Sequence, residues 1–155
     1  MTAAQRFLER FRAFGAAPDP DRYEDLFDPD DGTVLHPGML APLHHDHVHA
    51  YMTAYLNAMS GFRFDIVSFA ERDGVVFVEA KNEARPGGRT LRWDSVYRLV
   101  LRGERVLRGQ AFADRVPILA ALLPDTTLAA AADLGAPGPG ITAHPTPAAA
   151  PSASA

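Results

Sequence analysis

The sequence predicts an α+β fold in which a long helix packs against a curved antiparallel sheet. Two observations carry this prediction. Apolar residues recur at helical spacing over most of the first 60 residues, and they alternate with polar residues over most of 62–113. Glycine-containing turns separate the alternating segments, which is typical of hairpin-connected strands.

Two helices and one short strand are predicted ahead of the long helix. Thr2 and Gln5 have capping-box spacing at the start of the first helix. Its buried face is the aromatic stripe Phe7, Leu8, Phe11 and Phe14. Gly15 and the Ala-Pro-Asp-Pro run that follows it end this helix. A short second helix is predicted over 21–27, a turn over 28–32 and a short strand over 33–36.

The long helix is predicted over 44–60, after a loop at 38–43. One face of this segment is apolar and is formed by Val48, Tyr51, Met52, Tyr55, Leu56 and Met59. Gly61 ends the helix. We expect this face to pack against the sheet.

Four extended segments follow the long helix. The first includes the alternating stretch 62–66. A hairpin turn at 72–74 leads to the second segment, 76–84. The third runs over 91–101 and the last over 106–113. Alternation predicts two inward sets on the middle strands: Val76, Val78, Ala80, Asn82 and Ala84 on one, and Leu91, Trp93, Ser95, Tyr97, Leu99 and Leu101 on the other.

Composition limits the classes of function. A chain of 155 residues with 47% apolar residues fits one globular domain. A net charge of -4 argues against nucleic-acid binding, which requires a basic face. The absence of cysteine excludes disulfides and thiol catalysis. With no apolar signal core and no apolar run of membrane-spanning length, we expect a soluble cytoplasmic protein that binds no membrane.

The end of the chain changes in composition. Residues 116–123 form a short apolar segment that is compatible with a helix. The sequence leaves open whether 124–134 add one more helix. Residues 135–155 are rich in proline, alanine and glycine and are predicted to be disordered, since they bury too little apolar surface. The domain is therefore placed at 1–123.

Three stretches resemble the nuclear transport factor two-like superfamily, and within it the SnoaL-like group that includes polyketide cyclases. They are Tyr-Glu-Asp-Leu-Phe-Asp-Pro-Asp-Asp-Gly-Thr-Val-Leu-His-Pro at 23–37, the helix that begins at His44, and Gly-Gln-Ala-Phe-Ala-Asp at 109–114. The resemblance implies a cystatin-like α+β conical barrel, in which an antiparallel or mixed sheet wraps the long helix around an apolar cavity. It also implies dimers through the open sheet face.

The resemblance also suggests residue positions. Ketosteroid isomerases of this superfamily carry a general-base aspartate in a similar Thr-Val-x-Asp-Pro stretch, where this chain has His36. Their oxyanion-donor positions correspond to Phe11 and Ser95. The inner-strand positions used by limonene epoxide hydrolases correspond to Val78, Ala80 and Ala111. In SnoaL-like cyclases an aspartate near the last strands acts as acid and base. The aspartates of this chain nearest to that position are Asp94 and Asp114.

His36 is the main catalytic candidate. Pro37 biases the backbone before it towards extended conformations, which places the imidazole at the rim of the core. Imidazole is suited to proton transfer near neutral pH, and an apolar cavity would favour its neutral form. The alternative is a structural histidine that is hydrogen-bonded at a strand end.

The remaining predicted site residues come from the long helix and the inner strand faces. Asn82, Ser95 and Tyr55 are expected to orient a substrate or to stabilise an oxyanion. Asn82 also needs partners, because an amide at an inward position is otherwise unsatisfied. The predicted pocket residues are Tyr55, Met59, Val78, Ala80, Trp93, Tyr97 and Ala111. The alternative is a filled core in which these side chains only pack.

The histidine run at 44–49 has a spacing that a metal site could use. His45 and His49 lie one helical turn apart, as do His44 and His47. No His-Glu-x-x-His motif is present, and the run lies at a helix start. We expect a solvated helix start here, with no metal and no cofactor.

The functional expectation is a cofactor-independent enzyme that moves protons on a small hydrophobic, carbonyl-bearing molecule. Cyclisation, isomerisation and hydration fit this chemistry. The alternative is a non-catalytic ligand-binding or dimerisation module, because fold alone does not choose between them. The outward residues Phe77, Val96, Val100 and Phe112 are apolar and predict a homodimer through the outer sheet face.

Overall fold

The computed structural model describes residues 1–114. The predictions for 116–155 lie outside the described residues. The elements are α1 (Ala3–Ala16), α2 (Pro20–Glu24), β1 (Thr33–Leu35), β2 (Leu43–His44), α3 (His45–Ala58), β3 (Arg63–Arg72), β4 (Val75–Ala84), a 3-10 turn (Pro86–Gly88), β5 (Leu91–Arg102) and β6 (Arg105–Ala113). The predicted α+β class is confirmed.

The first helix, α1, forms as the sequence predicts. The backbone N–H of Gln5 donates to Thr2 Oγ1 at 3.1 Å, and the backbone N–H of Thr2 donates to Gln5 Oε1 at 2.7 Å. These two bonds complete the predicted capping box. The aromatic stripe of α1 is buried, which fixes the face of the helix that meets the sheet.

The second helix is shorter than the predicted 21–27. Asp19 caps it and Pro20 occupies its first turn. The backbone after Glu24 turns to the sheet because Val106 N–H donates to the carbonyl of Leu26 at 2.8 Å. These contacts with β6 compete with helix continuation, and no periodicity in the sequence signals them.

The six strands form one mixed sheet in the order β2-β1-β6-β5-β4-β3. Strands β3 to β6 are a continuous antiparallel meander, and β1 pairs parallel to β6. The predicted hairpin turn between β3 and β4 is present, with positive φ at Asp73 (53°) and Gly74 (75°). Strand β2 was not predicted: Leu43 was placed in the loop and His44 at the start of the long helix, because two residues are too few to show an alternating pattern.

The inner face of the sheet carries the core. Every even residue of β4 from Val76 to Ala84 is buried, as alternation predicts. The outward Phe77 is 44% exposed. A bulge between Ile66 and Ser68 shifts the register of β3 against β4. None of the helices within residues 1–114 has the length and apolarity that a membrane crossing needs.

Helix α1 lies directly against β3, and Gly15 makes this approach possible. A methyl group at this position would come within 2.7 Å of the carbonyl oxygen and the ring of Phe64. A side chain of any size would therefore push α1 away from the sheet. The glycine predicted as a helix stop thus sets the distance between two layers of the core.

Candidate functional site

A cavity of about 280 Å³ lies between the helices and the inner face of the sheet. Its walls are mostly aromatic. All four tyrosines of the chain line it, although they come from α2, α3 and β5: Tyr23, Tyr51, Tyr55 and Tyr97. An aromatic cavity with a few polar groups is the usual composition of a small-molecule site.

His36 lies on the wall of this cavity, at the point where the chain leaves β1. Its Nε2 is 2.7 Å from the hydroxyl oxygen of Tyr23. Its ring stacks on Tyr51, with ring centroids 4.7 Å apart and planes inclined by 18°. The ring is half-buried between these groups. Burial lowers the pKa of His36 to about 4, so the imidazole is neutral at physiological pH.

The tyrosine hydroxyls also stay protonated. Burial raises the pKa of Tyr51 to about 12, with a smaller contribution from Tyr97. Burial likewise raises the pKa values of Tyr23, Tyr55 and Tyr97. Neutral phenols donate hydrogen bonds and are poor bases. The cavity therefore offers hydroxyl donors and one neutral imidazole at pH 7.

A second polar group lies on the inner wall formed by β4 and β5. Asn82 Nδ2 donates to Ser95 Oγ at 2.6 Å and to the backbone carbonyl of Trp93 at 3.1 Å. Ser95 Oγ in turn donates to the Tyr97 hydroxyl at 3.3 Å. Asn82 Oδ1 is buried and has no hydrogen-bond partner within residues 1–114. This network joins neighbouring inward positions of two paired strands.

Among residues 1–114, no Asp, Glu, Lys or Arg side chain lines the cavity, so this part of its wall is uncharged. A charged ligand would lose its hydration there without gaining an opposite charge. The arrangement therefore favours a neutral ligand. It offers that ligand aromatic surface and hydrogen-bonding groups.

The structure brings most of the predicted site residues to this cavity. The wall includes His36, Tyr55, Asn82, Trp93, Ser95, Tyr97 and Ala111. It does not include Met59, Val78 or Ala80, which are buried in the core instead. Alternation identified the inward face of β4 correctly, but it does not show which inward residues reach a space. Ala80 carries only a methyl group and pairs with Ile66 and Ser95. Phe64 and Tyr97, two positions away on the adjoining strands, have longer side chains that line the cavity.

Sequence reasoning did not assign Tyr23 and Tyr51 to the site. Both were placed on buried helix faces, but neither was connected with His36. A usable signal was present, because all four tyrosines fall on predicted inward faces. A buried tyrosine hydroxyl needs a partner, so four inward tyrosines indicate a polar surface inside the core.

The other candidates lie at the surface. Asp94 and Asp114 are both exposed. Within the histidine run, His44 Nδ1 and His45 Nε2 lie 3.2 and 3.1 Å from oxygens of Asp46. His49 Nε2 lies 2.9 Å from Asp21 Oδ1, which links α3 to α2. None of these groups lines the cavity, and the proposed function uses none of them.

The architecture defines a class of fold, the NTF2-like fold. An NTF2-like protein of unknown function from Burkholderia pseudomallei superposes with a TM-score of 0.71 at 16% identity, covering 80% of this chain and 100% of its own. The model of the SnoaL-like domain matches residues 4–109, and the chain belongs to that family. No curated protein matches the chain at a significant level.

Two further solved structures are similar to this chain. AclR from Streptomyces galilaeus, a proposed hydroxylase, has a TM-score of 0.66 at 18% identity, covering 87% of this chain and 94% of its own. IdmH from Streptomyces antibioticus, a proposed polyketide cyclase, has a TM-score of 0.65 at 14% identity, covering 77% and 97%. Similarity at this level of identity establishes the fold and leaves the activity to the residues of the site.

Proposed function

We propose that this protein binds a small, neutral, hydrophobic molecule and catalyses proton transfer next to a carbonyl group without a cofactor. The observation that carries the proposal is the Tyr23–His36 hydrogen bond of 2.7 Å on the wall of an aromatic cavity. The pair combines a neutral imidazole with a phenol, one able to accept a proton and the other able to donate one. Cyclisation, isomerisation and hydration each need such a transfer.

In this mechanism His36 acts as the base and the tyrosines act on the carbonyl. In the tautomer whose Nε2–H donates to the Tyr23 oxygen, Nδ1 keeps the free lone pair and takes a proton from the carbon next to the carbonyl. The carbonyl oxygen then gains negative charge and needs donors. The hydroxyls of Tyr51 and Tyr55 make no hydrogen bond to any residue in 1–114 that would compete for them. Donors that are held in place without water stabilise such an oxyanion most effectively.

Exchange of a ketone proton for deuterium tests this mechanism directly. The probe is 2-tetralone, a neutral two-ring ketone, incubated with the protein in D2O and followed by NMR. Wild-type protein should accelerate the exchange at the carbon next to the carbonyl. His36→Gln should reduce the acceleration by at least about tenfold, because a positioned base contributes roughly 10²–10⁴ in rate. His47→Gln on the exposed side of α3 is the matched control and should keep the wild-type rate.

The pH profile adds a readout specific to His36. Because burial lowers its pKa to about 4, the base should remain active well below pH 6.5, and the exchange rate should fall only near pH 4. Exchange at the buffer rate in wild type, or an undiminished rate in His36→Gln, would refute the catalytic proposal.

The alternative function is a ligand-binding module without catalysis. One observation favours it: the low pKa that keeps His36 neutral also makes it a weak base. Binding of 2-tetralone without accelerated exchange would select this alternative. In that case the Tyr23–His36 pair would serve only as a hydrogen-bonding group.

We also propose that the protein is a homodimer in the cytoplasm, paired through the outer face of the sheet. Phe77, Val96 and Phe112 are 43–49% exposed there, and Val96 and Phe112 are partners in the β5–β6 register. A second copy would remove these apolar side chains from water. Sedimentation should show a dimer that Val96→Glu dissociates. A monomer at 100 µM wild-type protein would contradict this proposal.

A further inference from the structure

The inner wall formed by β4 and β5 contains one hydrogen-bond acceptor that the protein does not use. Asn82 is 3% exposed. The two hydrogens on its Nδ2 have short acceptors in Ser95 Oγ and the Trp93 carbonyl, at 2.6 and 3.1 Å. The Trp93 carbonyl can only accept, so Nδ2 must face it and Oδ1 must point elsewhere. Oδ1 remains without a partner among residues 1–114.

The orientation of Asn82 decides which ligand groups it can recognise. An amide whose N–H groups are already engaged cannot donate to an oxyanion. Its free oxygen can only accept, so a complementary ligand must present an O–H or N–H group. A buried acceptor without a partner is uncommon in native proteins and points to a water or a ligand that supplies the donor.

The rest of the cavity restricts the ligand further. Its described walls carry no carboxylate that could pair with an ammonium donor, so a neutral hydroxyl is the better match. A volume of about 280 Å³ lies at the lower end of small-molecule pockets, which suits one or two rings. Aromatic walls favour a planar ligand.

We propose that Asn82 Oδ1 accepts a hydrogen bond from a hydroxyl group of a neutral one- or two-ring ligand and thereby selects hydroxylated molecules. This inference rests on the proposed use of the cavity as a ligand site. It assigns Asn82 to specificity and leaves oxyanion stabilisation to the tyrosines. Ser95 holds Asn82 in this orientation through the 2.6 Å bond.

A pair of isosteric probes tests the assignment: 2-naphthol carries a hydroxyl where 2-methylnaphthalene carries a methyl group. Affinities are measured by equilibrium dialysis for wild type and for Asn82→Leu. In Asn82→Leu, the preference for 2-naphthol over 2-methylnaphthalene should fall by about five- to tenfold. This is the factor that one neutral hydrogen bond supplies. Lys81→Leu, one residue away on the exposed side of β4, is the matched control and should keep the wild-type ratio.

A second measurement does not depend on a folded variant. In wild-type protein, the ¹³C resonance of the Asn82 side-chain carbonyl should move further downfield with 2-naphthol than with 2-methylnaphthalene, because both rings cause a similar ring-current shift and only the hydroxyl adds a hydrogen bond. The charged probe 2-naphthoate should bind at least about tenfold more weakly than 2-naphthol, because the cavity offers its charge no partner. An unchanged ratio in Asn82→Leu, the same resonance shift with both neutral probes, or no binding of either would overturn the assignment.

The two proposals can fail separately. In His36→Gln the preference for 2-naphthol should persist although the exchange of 2-tetralone is lost. Selectivity without exchange in the wild type would remove the catalytic proposal and leave the Asn82 assignment standing. Exchange of 2-tetralone without a preference for 2-naphthol would remove the Asn82 assignment and leave the catalytic proposal standing.

Discussion

Replacing His36 by glutamine should change how stability depends on pH. An ordinary histidine in the unfolded chain binds a proton near pH 6.5, whereas folded His36 does so only at about 4. Between these values the unfolded chain holds more protons than the folded one, so acidification favours unfolding. The stability that neutral His36 supports is therefore complete above pH 6.5 and is lost as the pH falls towards 4.

The size of the effect follows from the two pKa values. Between pH 7 and pH 5 the proton uptake of the unfolded state costs the wild type about 1–2 kcal/mol of unfolding free energy. Glutamine does not titrate, so this component is absent from His36→Gln. The difference in unfolding free energy between wild type and variant should shrink by that amount over this range. All other titrating groups are common to both proteins and cancel to first order.

Urea denaturation at several pH values measures this difference, with the fluorescence of Trp93, the single tryptophan, as the signal. Tyr23→Phe is the matched control, because it removes the hydrogen-bond partner but keeps the half-buried imidazole, and it should retain most of the wild-type pH dependence. A difference between wild type and His36→Gln that stays constant from pH 7 to pH 5 would refute the claim that His36 is held neutral by burial.

Three further predictions concern the packing and the cavity. Gly15→Ala should destabilise the protein by about 1–3 kcal/mol in urea denaturation, because the new methyl group meets Phe64, although alanine is the better helix former; an increase in stability would contradict the close approach of α1 to β3. Thr2→Ala should cost about 1 kcal/mol through loss of the hydrogen bond to Gln5, and an unchanged denaturation midpoint would show that the cap contributes nothing. Neutral acrylamide should quench Trp93 more strongly than iodide does, since the described cavity walls carry no positive charge to admit an anion, and equal quenching would contradict an uncharged cavity.

The sequence by itself determined the elements and their faces. The capping box at Thr2, the aromatic stripe of α1 and the even–odd alternation of β4 each depend on neighbours a few residues apart. Local periodicity reports such features directly, because burial of one face is what imposes the period. The order of these elements also carried the resemblance to the SnoaL-like group, to which the chain belongs.

The tertiary structure alone decided which side chains meet. Tyr23 and His36 are 13 residues apart, and their 2.7 Å contact joins α2 to the end of β1. The unused acceptor on Asn82 depends on the β4–β5 register, which sets Trp93 opposite it. Alternation assigns a side chain to the inside of the sheet, but whether it meets a cavity or solid core depends on the sizes of its neighbours across the sheet. Those distances belong to the packed fold, and no local pattern in the chain encodes them.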